Sequence, residues 1–249
     1  MAQTLKFGNG TWATKKGSTL AYNDEDGNYK PLPFAYTGAG KGTRVNKQGL
    51  IEVVENDRPR IDYTDSEDGV FLLEKAATNL MTYSEDFSQS TWAKQTSGTA
   101  SAPIATSNYA ISPDGTQNAD RVVFNLNGGT TSSDFSQLAD GVISSIGDVI
   151  NSIWIKSNTA SNYNMSFVDP NTNYTSIVVT NEWKRFDVTS TTVSTSSALR
   201  LRLRGSESTS DTADVSIWGA QVEQGSYASS YIPTQGSIQT RVAETANGS

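Results

Sequence analysis

The chain has 249 residues, 35% of them hydrophobic and 18% charged, with 19 basic against 26 acidic side chains for a net charge of −7. It contains neither cysteine nor histidine, which excludes disulfides, thiolate chemistry, His-ligated zinc and Ser-His-Asp catalysis. The acidic balance opposes a phosphate backbone, so a nucleic-acid partner is not expected.

The N-terminal MAQTLKFGNGTWATKK lacks the apolar run of a signal peptide, and no apolar stretch approaches the length of a membrane span. Residues 1–78 hold 10 basic and 11 acidic side chains, whereas residues 79–249 hold 9 and 15 and are richer in Ser and Thr. This shift places a boundary near Thr78-Asn79. The expected organisation is an N-terminal region over 1–43, a short-strand connector over 44–78, a β-sandwich over 79–241 and a tail over 242–249.

In the first part, Thr19–Tyr22 and Tyr29–Leu32 flank an Asp26-Gly27 turn and read as a hairpin, with Pro31 and Pro33 demoting the second arm to an edge. The run Thr37-Gly38-Ala39-Gly40-Lys41-Gly42 reads as a flexible linker. It lacks the spacing of a phosphate loop. Short strands follow at Leu50–Val54, Arg60–Tyr63 and Val70–Glu74.

The second part shows strand patterning at 120–126, 149–157, 163–169, 174–180, 183–189, 198–204 and 213–222, with turns such as Asp169-Pro170-Asn171 between. Residues 135–146 have room for at most a short helix. Leu199-Arg200-Leu201-Arg202-Leu203-Arg204 alternates strictly, so three leucines face a core and three arginines face away. Val215, Ile217 and Gly219 alternate in the same way against Asp214, Ser216 and Trp218. Tyr227, Tyr231 and Ile232 are then expected to cover the open end of the core, with Gln221 and Glu223 still able to face a ligand. The fold class is all-β: a jelly-roll or β-sandwich module preceded by an extended N-terminal region of short hairpins.

Phe71-Leu72-Leu73-Glu74, then Ala77 through Phe87 with Trp92, resembles modules of tailed-bacteriophage fibre and appendage proteins. The similarity continues through Ile111–Thr116 with Ala119-Asp120-Arg121, through Ser152–Lys156 and Glu182–Arg185, and on to Arg241, covering roughly 44–241. Leu5 through Ala13 also resembles the start of such proteins in crAss-like phages. The resemblance implies a carbohydrate-binding-module-like sandwich carried on a virion, without enzymatic activity. Related chains often continue past the matching Arg. An end at Ser249 therefore favours a head fibre or adaptor over a receptor-binding tail fibre. Expected partners are capsid or tail proteins of the same particle, further copies of the chain as a homotrimer, and host or mucosal glycans. The anchor is expected to use Phe7, Trp12, Tyr22, Tyr29 and Phe34 as exposed aromatics.

Sugar recognition needs aromatic faces beside amides or arginines. With Ile153 and Ile155 inward, Trp154 shares the opposite face with Ser152 and Lys156, and Trp183 and Arg185 oppose Phe186 and Val188. Trp154, Trp183, Arg185, Arg200 and Arg202 are thus candidates for one glycan-binding face, although core or interface packing is the commoner place for a tryptophan. The acids Asp24/Asp26 and Asp62/Asp65/Glu67/Asp68 sit in Gly-containing turns, and Glu182 and Glu223 are isolated. No aligned acid pair points to a glycosidase, and a Tyr-based depolymerase or lyase remains a remote alternative. No cofactor is expected. Asp24–Asn28 lacks the acid an EF-hand loop needs at its twelfth position, where Ala35 stands. A structural calcium ion elsewhere stays open, without named ligands.

Overall fold

The computed structural model describes residues 3–5, 12–14, 20–23, 28–31, 34–38, 40–140, 142–143, 147–169, 171–192, 196–197, 199–207 and 210–248. Every regular element among them is a strand. The chain forms two compact units: 79–228 with 234–238, and 1–78 with 229–233 and 239–249.

The larger unit is built from β1 (Trp92–Ser97), β2 (Ser101–Ala110), β3 (Ala119–Asn125), β4 (Phe135–Asp140), β5 (Gly147–Ser157), β6 (Tyr163–Val168), β7 (Tyr174–Val179), β8 (Lys184–Thr192), β9 (Arg200–Arg204) and β10 (Thr212–Gln224). They form two antiparallel five-stranded sheets, ordered β2-β3-β10-β5-β8 and β1-β4-β9-β6-β7. Without the edge strands β1 and β2, the eight remaining strands, counted in chain order, read first-eighth-third-sixth in one sheet and second-seventh-fourth-fifth in the other. That is jelly-roll order.

The inner faces bury Val122, Phe124, Ile153, Ile155, Val215 and Ile217 from one sheet against Leu138, Met165, Phe167, Leu201 and Leu203 from the other. Phe87 packs its ring 4.7 Å from Trp92 at the margin of this core. The leucines of β9 are inward as their alternation requires.

Three expectations change. Phe135–Asp140 is a strand rather than a short helix, because it pairs with both β1 and β9 over most of its length; tertiary pairing overrides its weak local signal. The strands β1 and β2 carry few apolar residues and escape pattern reading. In β10 the alternation is broken: the register against β5 shifts between Ser152 and Trp154, and Gly219 takes φ of 66°. The bulge resets the inward parity, so Ala220 and Val222 join Val215 and Ile217 in the core. Gln221 and Glu223 are buried and bonded to each other at 2.9 Å, not presented to a ligand.

In the smaller unit, Gln3–Leu5, Val70–Leu73 and Arg60–Asp62 form one three-stranded sheet, and Trp12–Thr14, Leu20–Asn23 and Tyr29–Pro31 another, with Pro31 on an edge strand. Asp24–Gly27, including the turn and the acids Asp24 and Asp26, lie outside the described residues. Residues 242–249, expected as a tail, contain a strand, Thr245–Gly248, that pairs with Phe34–Thr37. Ser229–Pro233 also belongs to this unit; Tyr231 and Ile232 are both buried, and Tyr227 is 39% exposed. The glycines expected as a linker are held in place. Gly38 and Gly40 donate their N–H groups to Asp57 Oδ1 at 3.2 Å and Asn56 Oδ1 at 2.9 Å. Gly40, at φ of 99°, lies so close to Thr240 that an added Cβ would stand 2.5 Å from its carbonyl oxygen.

The apolar centre of this unit is small: Tyr36, Ile61 and Phe71, with Trp12, Tyr63, Leu73 and Ala246 against it. Beside it lies a buried charge network. Arg60 donates to Glu74 at 2.7 Å, to Glu244 through Nε at 2.6 Å, and to Ser230 Oγ at 2.8 Å. Arg241 Nη1 lies 3.2 Å from Glu74, and the Tyr36 hydroxyl donates to Glu244 at 2.5 Å. Two guanidinium groups thus face two carboxylates, and no net charge is buried. Burial opposes the ionisation of Glu74, but Arg241, Arg60 and the Ser230 donors outweigh it and hold its carboxyl below the usual range.

Two outcomes follow. Glu74→Gln should destabilise the smaller unit by about 3–5 kcal/mol, because it strands buried guanidinium charge; equilibrium denaturation checks this. A depressed folded pKa contributes stability above the unfolded value, so the wild type should lose stability as pH falls below about 4.5, and Glu74→Gln should flatten that dependence. In the larger unit, Leu201→Ala should cost about 2–5 kcal/mol, read by the same measurement.

Candidate functional site

The outer face of the β2-β3-β10-β5-β8 sheet gathers three of the five candidate residues. Trp154 on β5 lies directly opposite Arg185 on β8. Two residues along each strand, Lys156 meets Trp183, just before β8 begins. Each cation covers an indole: the Arg185 guanidinium is 4.4 Å from the Trp154 ring centroid and the Lys156 ammonium 5.1 Å from that of Trp183. Because residues two apart on a strand share a face, these four side chains make a two-by-two checkerboard of indoles and cations, all of them half-buried.

Neighbouring groups hold the block. Arg185 Nη2 donates to Ser152 Oγ at 2.8 Å, and Trp183 Nε1 donates to the Ile111 carbonyl at 3.1 Å. Trp218, across from Trp154 on β10, meets it edge-on at 5.4 Å and is itself buried. Further along the same face, Arg121 makes a bidentate pair with Asp214, at 2.8 Å and 2.5 Å, and lies 5.2 Å from the Tyr109 ring. Asn158 Nδ2 donates to Asp214 at 2.8 Å and Ser216 Oγ to Asn158 at 2.6 Å, so the polar surface beside the checkerboard is tied down.

Arg200 and Arg202 do not join this block. They lie on β9, in the other sheet, with the inward Leu201 between them, so they face the opposite side of the sandwich. Parity of the sequence places each arginine outside but not which sheet carries it. There Gln95, Gln137, Arg202, Ser166 and Ser176 form a row across all five strands. Arg202 is buried and held by Glu207 through Nε at 2.8 Å and again through Nη2. Arg202 and Glu207 thus form a nearly buried ion pair. Arg200 is half-buried, and its pKa is pushed down by burial and by the neighbouring Arg202, with Asp169 opposing.

Of the anchor candidates, Trp12 is half-buried and donates Nε1 to the Asp68 carbonyl at 2.9 Å, so it packs within its own unit rather than standing exposed. Phe7 lies outside the described residues, and Tyr22, Tyr29 and Phe34 lie on strands whose side chains there are likewise outside them. Among the described residues no group of three or more Asp or Glu side chains is placed to hold a metal ion. Asp120, whose carboxyl burial pushes up to about 6, accepts N–H groups from Phe87 at 2.8 Å and Asn108 at 2.9 Å and thereby ties the loop that carries Phe87 to β2. Alternation already set Lys156 on the face of Trp154, but it carried no signal that its ammonium covers Trp183 or that Glu207 locks Arg202.

No protein-family model and no curated protein matches the chain. Among solved structures, the CBM22-1 xylan-binding domain of Paenibacillus barcinonensis Xyn10C is 19% identical with a TM-score of 0.40, covering 62% of this chain and 99% of that one. A family 11 carbohydrate-binding module of a cellulosomal cellulase of Clostridium thermocellum is 12% identical with a TM-score of 0.37, covering 60% and 96%. The enzymatically active domain of tailspike protein 4 of bacteriophage CBA120 is 15% identical with a TM-score of 0.36, covering 58% of this chain and 21% of that one. At such identities and TM-scores, only the residues of the site itself bear on function.

Replacing Glu207 by Gln should separate the roles of the two β9 arginines. Loss of a buried partner leaves the Arg202 charge uncompensated and should cost about 3 kcal/mol of stability, measured by thermal unfolding, with the checkerboard face unaffected.

Proposed function

We propose that this chain is a non-catalytic surface protein of a tailed-phage particle and that its sandwich binds glycans through Trp154, Trp183, Arg185 and Lys156. The checkerboard carries the reading. Two indoles offer apolar surface for the C–H faces of sugar rings, and two cations offer donors to hydroxyl and carboxylate oxygens, all on one sheet face. The absence of histidine and cysteine and the structural use of Asp120 support a binding role over a catalytic one.

The phage setting rests on the sequence resemblance over roughly 44–241. In this reading the protein is made in the host cytoplasm and reaches the virion surface by assembly. The smaller unit contacts capsid or tail components, the sandwich points outward, and the copies associate as trimers.

A glycan array tests the binding reading. Wild type should bind at least one class of polysaccharide, and Trp183→Ala and Arg185→Ala should each weaken that binding about tenfold while leaving the melting temperature within a few degrees; an array with no wild-type binder rejects it. Labelled antibody imaging of purified particles tests the virion reading, which fails if particles lack the protein.

A further inference from the structure

The smaller unit contains a pocket of about 220 Å³ lined by Trp12, Arg44, Asn46, Lys47, Gln48, Glu52, Ile61 and Tyr63. At roughly 30 Å³ per water molecule this is room for about seven waters, and it falls below the roughly 300–1,000 Å³ of pockets that take drug-sized ligands. Its size suits a single sugar ring rather than a chain.

The floor is rigid. Arg44 donates to Glu52 at 2.8 Å through Nε and to the Ile61 carbonyl at 3.2 Å, and Asn46 Nδ2 donates to Glu52 at 3.0 Å. Asn46 Oδ1 accepts the N–H groups of Gln48 and Leu50, which fixes the turn that carries Lys47 and Gln48. The Tyr63 ring is set by Gly69, since a Cβ there would stand 2.7 Å from the ring. Burial pushes the Tyr63 phenol up, so it stays a neutral donor. Arg44 and Glu52 cancel one another. The groups left at the rim, with no hydrogen bond among the described residues, are the Lys47 ammonium, the Gln48 side-chain amide and the Tyr63 hydroxyl, with Trp12 supplying a second ring. Both Lys47 and Gln48 are exposed.

Two aromatic rings, one unpaired cation, one amide and one phenol around a monosaccharide-sized space match a pyranose that carries a carboxylate. We infer that this pocket binds an acidic monosaccharide unit, of the uronic-acid type, as a second site independent of the checkerboard on the sandwich. The ammonium would pair with the carboxylate, and the amide and phenol with ring hydroxyls.

Ligand-observed NMR titration of the full chain with glucuronic acid, glucose and glutamate tests this. Glucuronic acid should bind saturably and more tightly than either of the others. Lys47→Met should weaken glucuronic acid at least fivefold with little effect on glucose, Tyr63→Phe should weaken both sugars, and Arg185→Ala should change neither. Lys47 is exposed, so loss of folding would not explain its effect, and circular dichroism verifies this. The inference is overturned if glucuronic acid does not bind, if Lys47→Met leaves its binding unchanged, or if glutamate binds equally well, which would mark a site for acidic peptide side chains. Loss of array binding in Arg185→Ala with this titration intact would leave the two sites distinct.

Discussion

A β-strand has two faces, and in a two-sheet sandwich one of them must be inside. That constraint organises the larger unit. Each sheet commits its inward residues to a shared apolar core, and whatever chemistry the chain displays must lie on the two outer faces. Trp154 and Lys156 are outside because Ile153 and Ile155 are inside. Arg200 and Arg202 are outside because Leu199, Leu201 and Leu203 are buried. The surface chemistry is therefore a by-product of core packing, sorted by parity, and a single bulge at Gly219 is enough to reverse the parity of everything after it.

The two outer faces have been put to different uses. One carries cations laid over indoles, with both cations half-buried. On the other, the central guanidinium of Arg202 is closed off by Glu207, which turns a potential contact into a support for the sheet. The difference lies in one acidic residue on the turn after β9. Counting basic residues on a strand face thus says little about binding until their partners are known.

The smaller unit meets its stability problem differently. Its apolar cluster is too slight to organise ninety-odd residues alone, and its strands are three or four residues long. Arg60, Glu74, Arg241 and Glu244 supply a second centre. Their geometry ties residues near the end of the chain's first part to its last ten. Ion pairs of this kind contribute more to specifying one arrangement than to net stability, which suits a unit assembled from distant pieces of chain.

Strand alternation, turn residues and composition were enough to read the all-β class, the inward leucines of β9, and Trp154 with Arg185 on one outer face. These depend on the period of a strand, which is local. The sequence also resolved that no histidine or thiol chemistry was open to the protein. Only the tertiary structure decided which strands share a sheet, and so put the β9 arginines opposite the tryptophans. It alone showed that Phe135–Asp140 pairs as a strand, that Gly38 and Gly40 are held rather than loose, and that the last residues belong with the first unit. Each of these rests on partners far away in the chain, and no local pattern encodes a distant partner.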